Sequence, residues 1–212
     1  MTIAHPSELP PNAATVFGLV LAGGRSTRMG EDKAALAYHE TSQVEHGYEL
    51  LASCCEKVFV SIRERHPDHA SIHPLPHIAD SFLGFGPMGG ILSAMTAYPD
   101  TAWLVLACDM PFVEASALRT LLRGREPHRI ATAFIASDGA PEPLCTLYEP
   151  ASRAMLHTYM ARGRYSLRDV LRDADARLLD LPDPEVLRNA NTPEERDAAQ
   201  ALLDARLPGP RS

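Results

Sequence analysis

Apolar positions along the chain fall in two alternating rhythms. Short apolar runs at 16–22 (VFGLVLA) and 102–108 (AWLVLAC) have the pattern of strands covered on both faces, and 57–62 (KVFVSI) is short and β-branched, as a strand would be. Between and after them, residues 44–54, 88–97 and 114–123 carry apolar side chains at helical spacing. The pattern further predicts short strands at 76–79, 130–136, 143–148 and 177–181, and helices at 150–162, 167–173 and 193–205. Strands alternating with helices predict an α/β fold: three layers, with a mostly parallel twisted sheet and helices on both faces. In such sheets ligands bind beyond the carboxyl ends of the strands. No repeat or linker interrupts the body, so one domain is expected over 15–205, with a loose Pro-rich leader at 1–14 and a loose tail at 206–212.

Composition narrows the function. A chain of 212 residues that is 45% hydrophobic can bury a substantial core. The formal charge of -7 argues against nucleic acid as partner and against a protein held by charge on an anionic membrane. No apolar run reaches the roughly 20 residues of a membrane span, and the first residues lack the pattern of a secretory signal. Cys54, Cys55, Cys108 and Cys145 form no C-x-x-C pair, which predicts reduced, mostly buried thiols and a cytoplasmic protein.

Against that acidic background, the stretch after the first strand stands out. Gly23 and Gly24 leave backbone N–H groups open to a ligand, while Arg25, Arg28 and Lys33 bring positive charge to the same place. Such a turn suits a polyphosphate. It is not a Walker loop, because Gly30 is followed by Glu31-Asp32-Lys33. The whole string L-A-G-G-x-S-x-R-M-G-x-D-K resembles the signature of nucleotidyltransferases, above all the molybdenum cofactor guanylyltransferases (the MobA-like family). DSFLGFGPMGGI at 80–91, ACDMPF at 107–112 and NANTPEE at 189–195 continue the resemblance in that family's order. It implies a Rossmann-like nucleotidyltransferase fold.

Gly84, Gly86 and Gly89 also match G-x-G-x-x-G, with Asp109 twenty residues on, the spacing of a dinucleotide fingerprint. The preceding strand ends near Ala79, too early for a tight strand-to-helix turn, and Pro87 removes a donor that a pyrophosphate needs. A redox cofactor is therefore not expected. His66, His69, His73 and His77 mimic a helical metal stripe, but Pro67, Pro74 and Pro76 break any such helix and predict a polar loop.

Asp109 ends the most apolar strand, with Met110-Pro111 expected to keep the chain extended beyond it. A carboxylate at that edge can hold Mg²⁺, which bridges phosphate oxygens. Thr192-Pro193-Glu194-Glu195 reads as a capping box, and Ser166 as an N-cap.

The resemblance implies that Leu21, Ala22, Gly23, Gly24, Lys33, Ser61, Asp80 and Asp109 bind the nucleotide, Asp80 by contacting guanine. Ser61 departs from the Asn that relatives commonly carry there. Arg28, Lys33 and Asp109 would be catalytic, Asp109 and Asn191 the metal ligands, and Asn189, Asn191 and Arg164 the acceptor contacts. Arg162 and Arg168 are further candidates for an acceptor phosphate, and Asp32 for bracing the first loop. The implied reaction passes GMP from GTP to the phosphate of molybdopterin, with Mg²⁺ as cofactor and release of pyrophosphate. Partners would then be these two small molecules, with other cofactor-biosynthesis proteins or a target molybdoenzyme. Alternatives are transfer of CMP from CTP, a sugar-phosphate nucleotidyltransferase, and a non-catalytic nucleotide- or cofactor-binding module. Gly24 favours the guanine type, since the cytidine type tends to carry Ala there.

Overall fold

The computed structural model describes residues 13–22, 37–38, 41–62 and 75–190. Nine strands and five α-helices are resolved among them. The strands are β1 (Val16–Leu21), β2 (Ala37–Tyr38), β3 (Thr41–Ser42), β4 (Val58–Ile62), β5 (His77–Ala79), β6 (Ala102–Ala107), β7 (Ala131–Ile135), β8 (Pro141–Tyr148) and β9 (Ala176–Leu179). The helices are α1 (Gln43–Ala52), α2 (Pro87–Ala97), α3 (Ala115–Arg123), α4 (Ser152–Ala161) and α5 (Leu167–Asp173), followed by a 3₁₀ turn, Pro184–Leu187. The expected helix at 193–205 and the capping box lie outside the described residues.

Seven strands form one sheet in the order β5-β4-β1-β6-β8-β7-β9. All its pairings are parallel except those of β8, which runs antiparallel to both β6 and β7. Apolar strands without alternation are explained by burial on both faces. Val20, Val60, Leu104, Leu106 and Leu147 pack with Val44 and Leu51 of α1 and Leu118 and Leu121 of α3. Their neighbours Leu19, Leu21, Trp103, Val105 and Tyr148 pack on the other side with α2, α4 and α5. The three-layer, mostly parallel architecture is thus the one the sequence predicts.

Four differences are informative. A two-stranded hairpin, β2–β3, precedes α1, and the 3₁₀ turn at Pro184–Leu187 follows β9; both are too short to show a period. β8 begins at Pro141, two residues earlier than its apolar pattern, because Glu142 occupies a strand position. The chain after Asp109 does not stay extended. Met110 N–H donates to the Ala107 carbonyl (3.3 Å) and Val113 N–H to that of Met110 (3.3 Å). Burial of Met110, Phe112 and Val113 draws the segment back onto the core, leaving Asp109 in a turn.

Because β8 is reversed, its first residues share an edge with the carboxyl ends of β1, β4, β5 and β6. Its last residues lie at the opposite edge. That arrangement decides what surrounds the site.

Candidate active site

At the carboxyl edge, Leu21 is the register partner of Ser61 on β4 and of Ala107 on β6, so the first strand ends between the two strands that carry Ser61 and Asp109. Ala22 follows directly. The Ser61 hydroxyl donates to Asp80 Oδ1 at 2.6 Å, and Asp80 N–H donates to the Ile62 carbonyl at 2.9 Å. Asp80 is therefore tied to β4 by backbone and by side chain.

The N-terminal turn of α2 packs onto this pair. A Cβ on Gly90 would stand 2.5 Å from Ser61 Oγ and 3.1 Å from Leu21 Cδ2, so only glycine lets the helix approach. Gly84 and Gly86 have positive φ (88° and 59°) in the loop before α2, away from any tight strand-to-helix turn. The dinucleotide fingerprint is thus a match of letters alone.

Asp109 is reached from two directions. Ala190 N–H donates to the Asp109 carbonyl at 3.0 Å, which docks the segment after the 3₁₀ turn and brings Asn189 alongside. The Oδ1 atom of Asn189 is buried with no hydrogen-bond partner. On the other side, continuing the β6–β8 register past Leu106↔Cys145 sets Glu142 opposite Asp109. Glu142 is 6% exposed; its Oε1 accepts the Leu144 N–H at 2.8 Å, and its Oε2 stands 3.7 Å from Arg168 Nη2. Burial pushes its carboxyl above the ordinary range, and the Asp109 charge adds to the effect, against the Leu144 N–H and Arg168. Asp138 in turn receives Arg168 Nη1 at 2.6 Å.

The structure thus gathers Leu21, Ala22, Ser61, Asp80, Asp109 and Asn189 at one edge. Gly23, Gly24, Arg28, Lys33 and Asn191 lie outside the described residues. So do Asp32, His66, His69 and His73; His77 belongs to β5, and its Nδ1 lies 3.1 Å from the Leu75 carbonyl. Arg164 is occupied elsewhere: it reaches Asp173 Oδ2 at 2.9 Å and lies over the Tyr159 ring at 4.6 Å. Ser166 caps α5, accepting Asp169 N–H at 3.2 Å, as the sequence predicts. None of the four cysteines is in a disulfide; Cys108 and Cys145 are buried and Cys54 and Cys55 partly so. Glu142 escaped the sequence reading. Only the antiparallel register of β8 brings it to Asp109, and no local motif announces that register.

Chemically, this edge is rich in oxygen donors. Asp80, Asp109 and Glu142 face it, with Arg168 the cation in contact among the described residues. A polyanionic ligand would need positive charge here, from the basic residues of 23–36, which lie outside the described residues, or from a metal ion. Asn189 precedes the residue whose N–H binds the Asp109 carbonyl, and its buried, orphaned oxygen is the type of donor that a hard, oxygen-seeking cation such as Mg²⁺ takes.

Comparison with known proteins supplies the family. Residues 18–179 match the model of the MobA-like NTP transferase domain. The chain is 33% identical over 195 residues to a probable molybdenum cofactor guanylyltransferase of Opitutus terrae, covering 88% of this chain and 95% of the relative. It is 34% identical over 181 residues to a molybdenum cofactor biosynthesis bifunctional protein of Synechocystis, covering 85% of this chain; it spans about half that relative's length (52%). In fold it superposes on the crystal structure of molybdopterin-guanine dinucleotide biosynthesis protein A from Archaeoglobus fulgidus. That match has a TM-score of 0.75 at 21% identity, over 89% of this chain and 99% of that one. The chain belongs to the MobA-like NTP transferase family.

Proposed function

We propose, from membership of this family, that the chain transfers the guanylyl group of GTP to the phosphate of molybdopterin. The products are the guanine dinucleotide form of the cofactor and pyrophosphate. The observation that carries the reading is the convergence of the end of β1 with Ser61, Asp80, Asp109 and Asn189 on one edge of the sheet, joined by hydrogen bonds that span separate elements.

The acceptor oxygen of a phosphate monoester is already anionic, so the reaction needs no general base. Catalysis is then alignment of two mutually repelling anions and neutralisation of charge on the α-phosphate and the departing pyrophosphate. Asp109 and the Asn189 carboxamide oxygen would hold Mg²⁺. When bound, that ion neutralises charge on phosphate oxygens. The backbone at Gly23 and Gly24 would cradle the phosphates, with Arg28 and Lys33 supplying positive charge to the leaving group. Asp80, fixed by Ser61, would accept N–H groups of the guanine. Asn191 and Arg164 belong to the reading as acceptor contacts, Arg164 only if it exchanges Asp173 for the ligand.

The test supplies purified protein with molybdopterin, Mg²⁺ and each nucleoside triphosphate in turn, and measures pyrophosphate. Release with GTP is the expected result. Release with CTP alone would move the chain to the cytidylyl-transferring sister family, and none with any triphosphate would leave a binding module.

A further inference from the structure

Ser61 is 2% exposed, too deeply buried to touch a base itself. It nevertheless makes the contact that fixes the proposed base reader, a 2.6 Å hydrogen bond to Asp80 Oδ1. That length is typical of a hydroxyl donating to a charged carboxylate, roughly twice as strong as a neutral pair. Three elements enforce it. β4 places Ser61 between Leu21 and Ile78 in the sheet. The Asp80 N–H is held by the Ile62 carbonyl. Gly90 of α2 closes over the hydroxyl so tightly that a methyl group there would stand 2.5 Å from Oγ. A carboxylate held through one oxygen keeps one rotamer. It can then meet two adjacent N–H groups, such as N1–H and the 2-amino group of guanine, in a bidentate arrangement that a swinging side chain could not maintain.

We propose that Ser61 is a positioning residue for base selection: through Asp80, with Gly90 as the backstop, it sets the preference for a purine bearing a 2-amino group. The inference rests on the reading of Asp80 as the guanine contact. Ser61 takes no direct part in binding, in place of the direct nucleotide contact that the family resemblance implies at this position.

The experiment compares GTP with ITP, whose hypoxanthine keeps N1–H but lacks the 2-amino group, in the full-length chain with Mg²⁺ and molybdopterin. For Ser61→Ala the expected result is a fall in kcat/KM for GTP of about tenfold, the scale of one charge-assisted hydrogen bond, carried by KM. ITP should fall by only about twofold, because it offers a single N–H to the carboxylate. Gly90→Ala, which leaves Ser61 in place but crowds its hydroxyl, should reproduce the loss of preference. Calorimetric Kd values for both nucleotides should show the same split, with the thermal midpoint of Ser61→Ala close to the parent's and that of Gly90→Ala lowered by the buried clash. Equal loss for GTP and ITP, or no loss, overturns the role of Ser61. Asp80→Asn separates the two levels. If it abolishes the preference while Ser61→Ala does not, only the Ser61 inference fails; if it too leaves the preference intact, the reading of Asp80 fails first.

Discussion

A buried glutamate stands at each end of β8, Glu142 within it and Glu149 just past it, and the protein treats them oppositely. At the edge away from the site, Glu149 is gripped by Arg125 in two hydrogen bonds of 2.6 and 2.8 Å, with both side chains almost wholly buried. At the site edge, Glu142 faces Asp109, has one backbone donor, and stands 3.7 Å from an arginine that Asp138 also holds. One end is electrically closed by the chain's own residues. The other gathers Glu142, Asp109 and Asp80 where a polyphosphate and its cation are proposed to bind. Charge that serves only the fold is neutralised within the fold. Glu142, with one backbone donor and an arginine shared with Asp138, is compensated less fully than Glu149, and it stands at the edge where a ligand is proposed to bind.

The sharpest way to break this comparison is to remove the acid at the open end. Asp109→Ala should lower turnover, measured as pyrophosphate release at saturating GTP and molybdopterin, by about a thousandfold or more. Nucleotide affinity without metal should change little. A loss confined to binding would make the edge a docking site instead of a catalytic one.

At the closed end the signs reverse. Arg125→Met leaves the Glu149 carboxylate buried without its partner and should cost about 3–5 kcal/mol in urea unfolding. Activity per folded molecule should stay at the parent value. Restoring an apolar pair with Arg125→Met and Glu149→Leu together should recover much of that loss, since matched apolar side chains avoid the desolvation of both charges. A drop in kcat for the folded variant would mean that the two edges are coupled.

Much of the fold was legible because it rests on continuous apolar runs. β1 and β6 needed no tertiary information to be found, and the Gly23-Gly24 stretch with its basic neighbours, outside the described residues, raised the expectation of a phosphate ligand through local chemistry. What the sequence concealed were relations between distant segments. Glu142 lies opposite Asp109 only because β8 reverses direction. Ser61 meets Asp80 only because β4 and β5 pair in register, and Asn189 arrives by a single backbone bond to Asp109. The turn after Asp109 was misread because a pre-proline preference was outweighed by burial of Met110, Phe112 and Val113.

The smallest effect is the most diagnostic, because it reads the open end without catalysis. Burial, reinforced by Asp109, raises the Glu142 carboxyl above its unfolded value. Between those two values the folded state binds the proton more tightly, so this group's contribution to stability falls as pH rises through the window and is constant above it. Below the window the protonated acid is nearly isosteric with an amide. Glu142→Gln should therefore match the parent in acid and become progressively more stable than the parent as pH rises toward the raised value, then keep that margin. Chemical denaturation at a series of pH values measures it. Mg²⁺ and nucleotide bound at Asp109 would offset the like charge that helps raise Glu142, so the pH-dependent part of the margin should shrink when both are present. If the margin is the same with and without them, Glu142 does not sense the occupied site, and its place beside Asp109 is only a matter of packing.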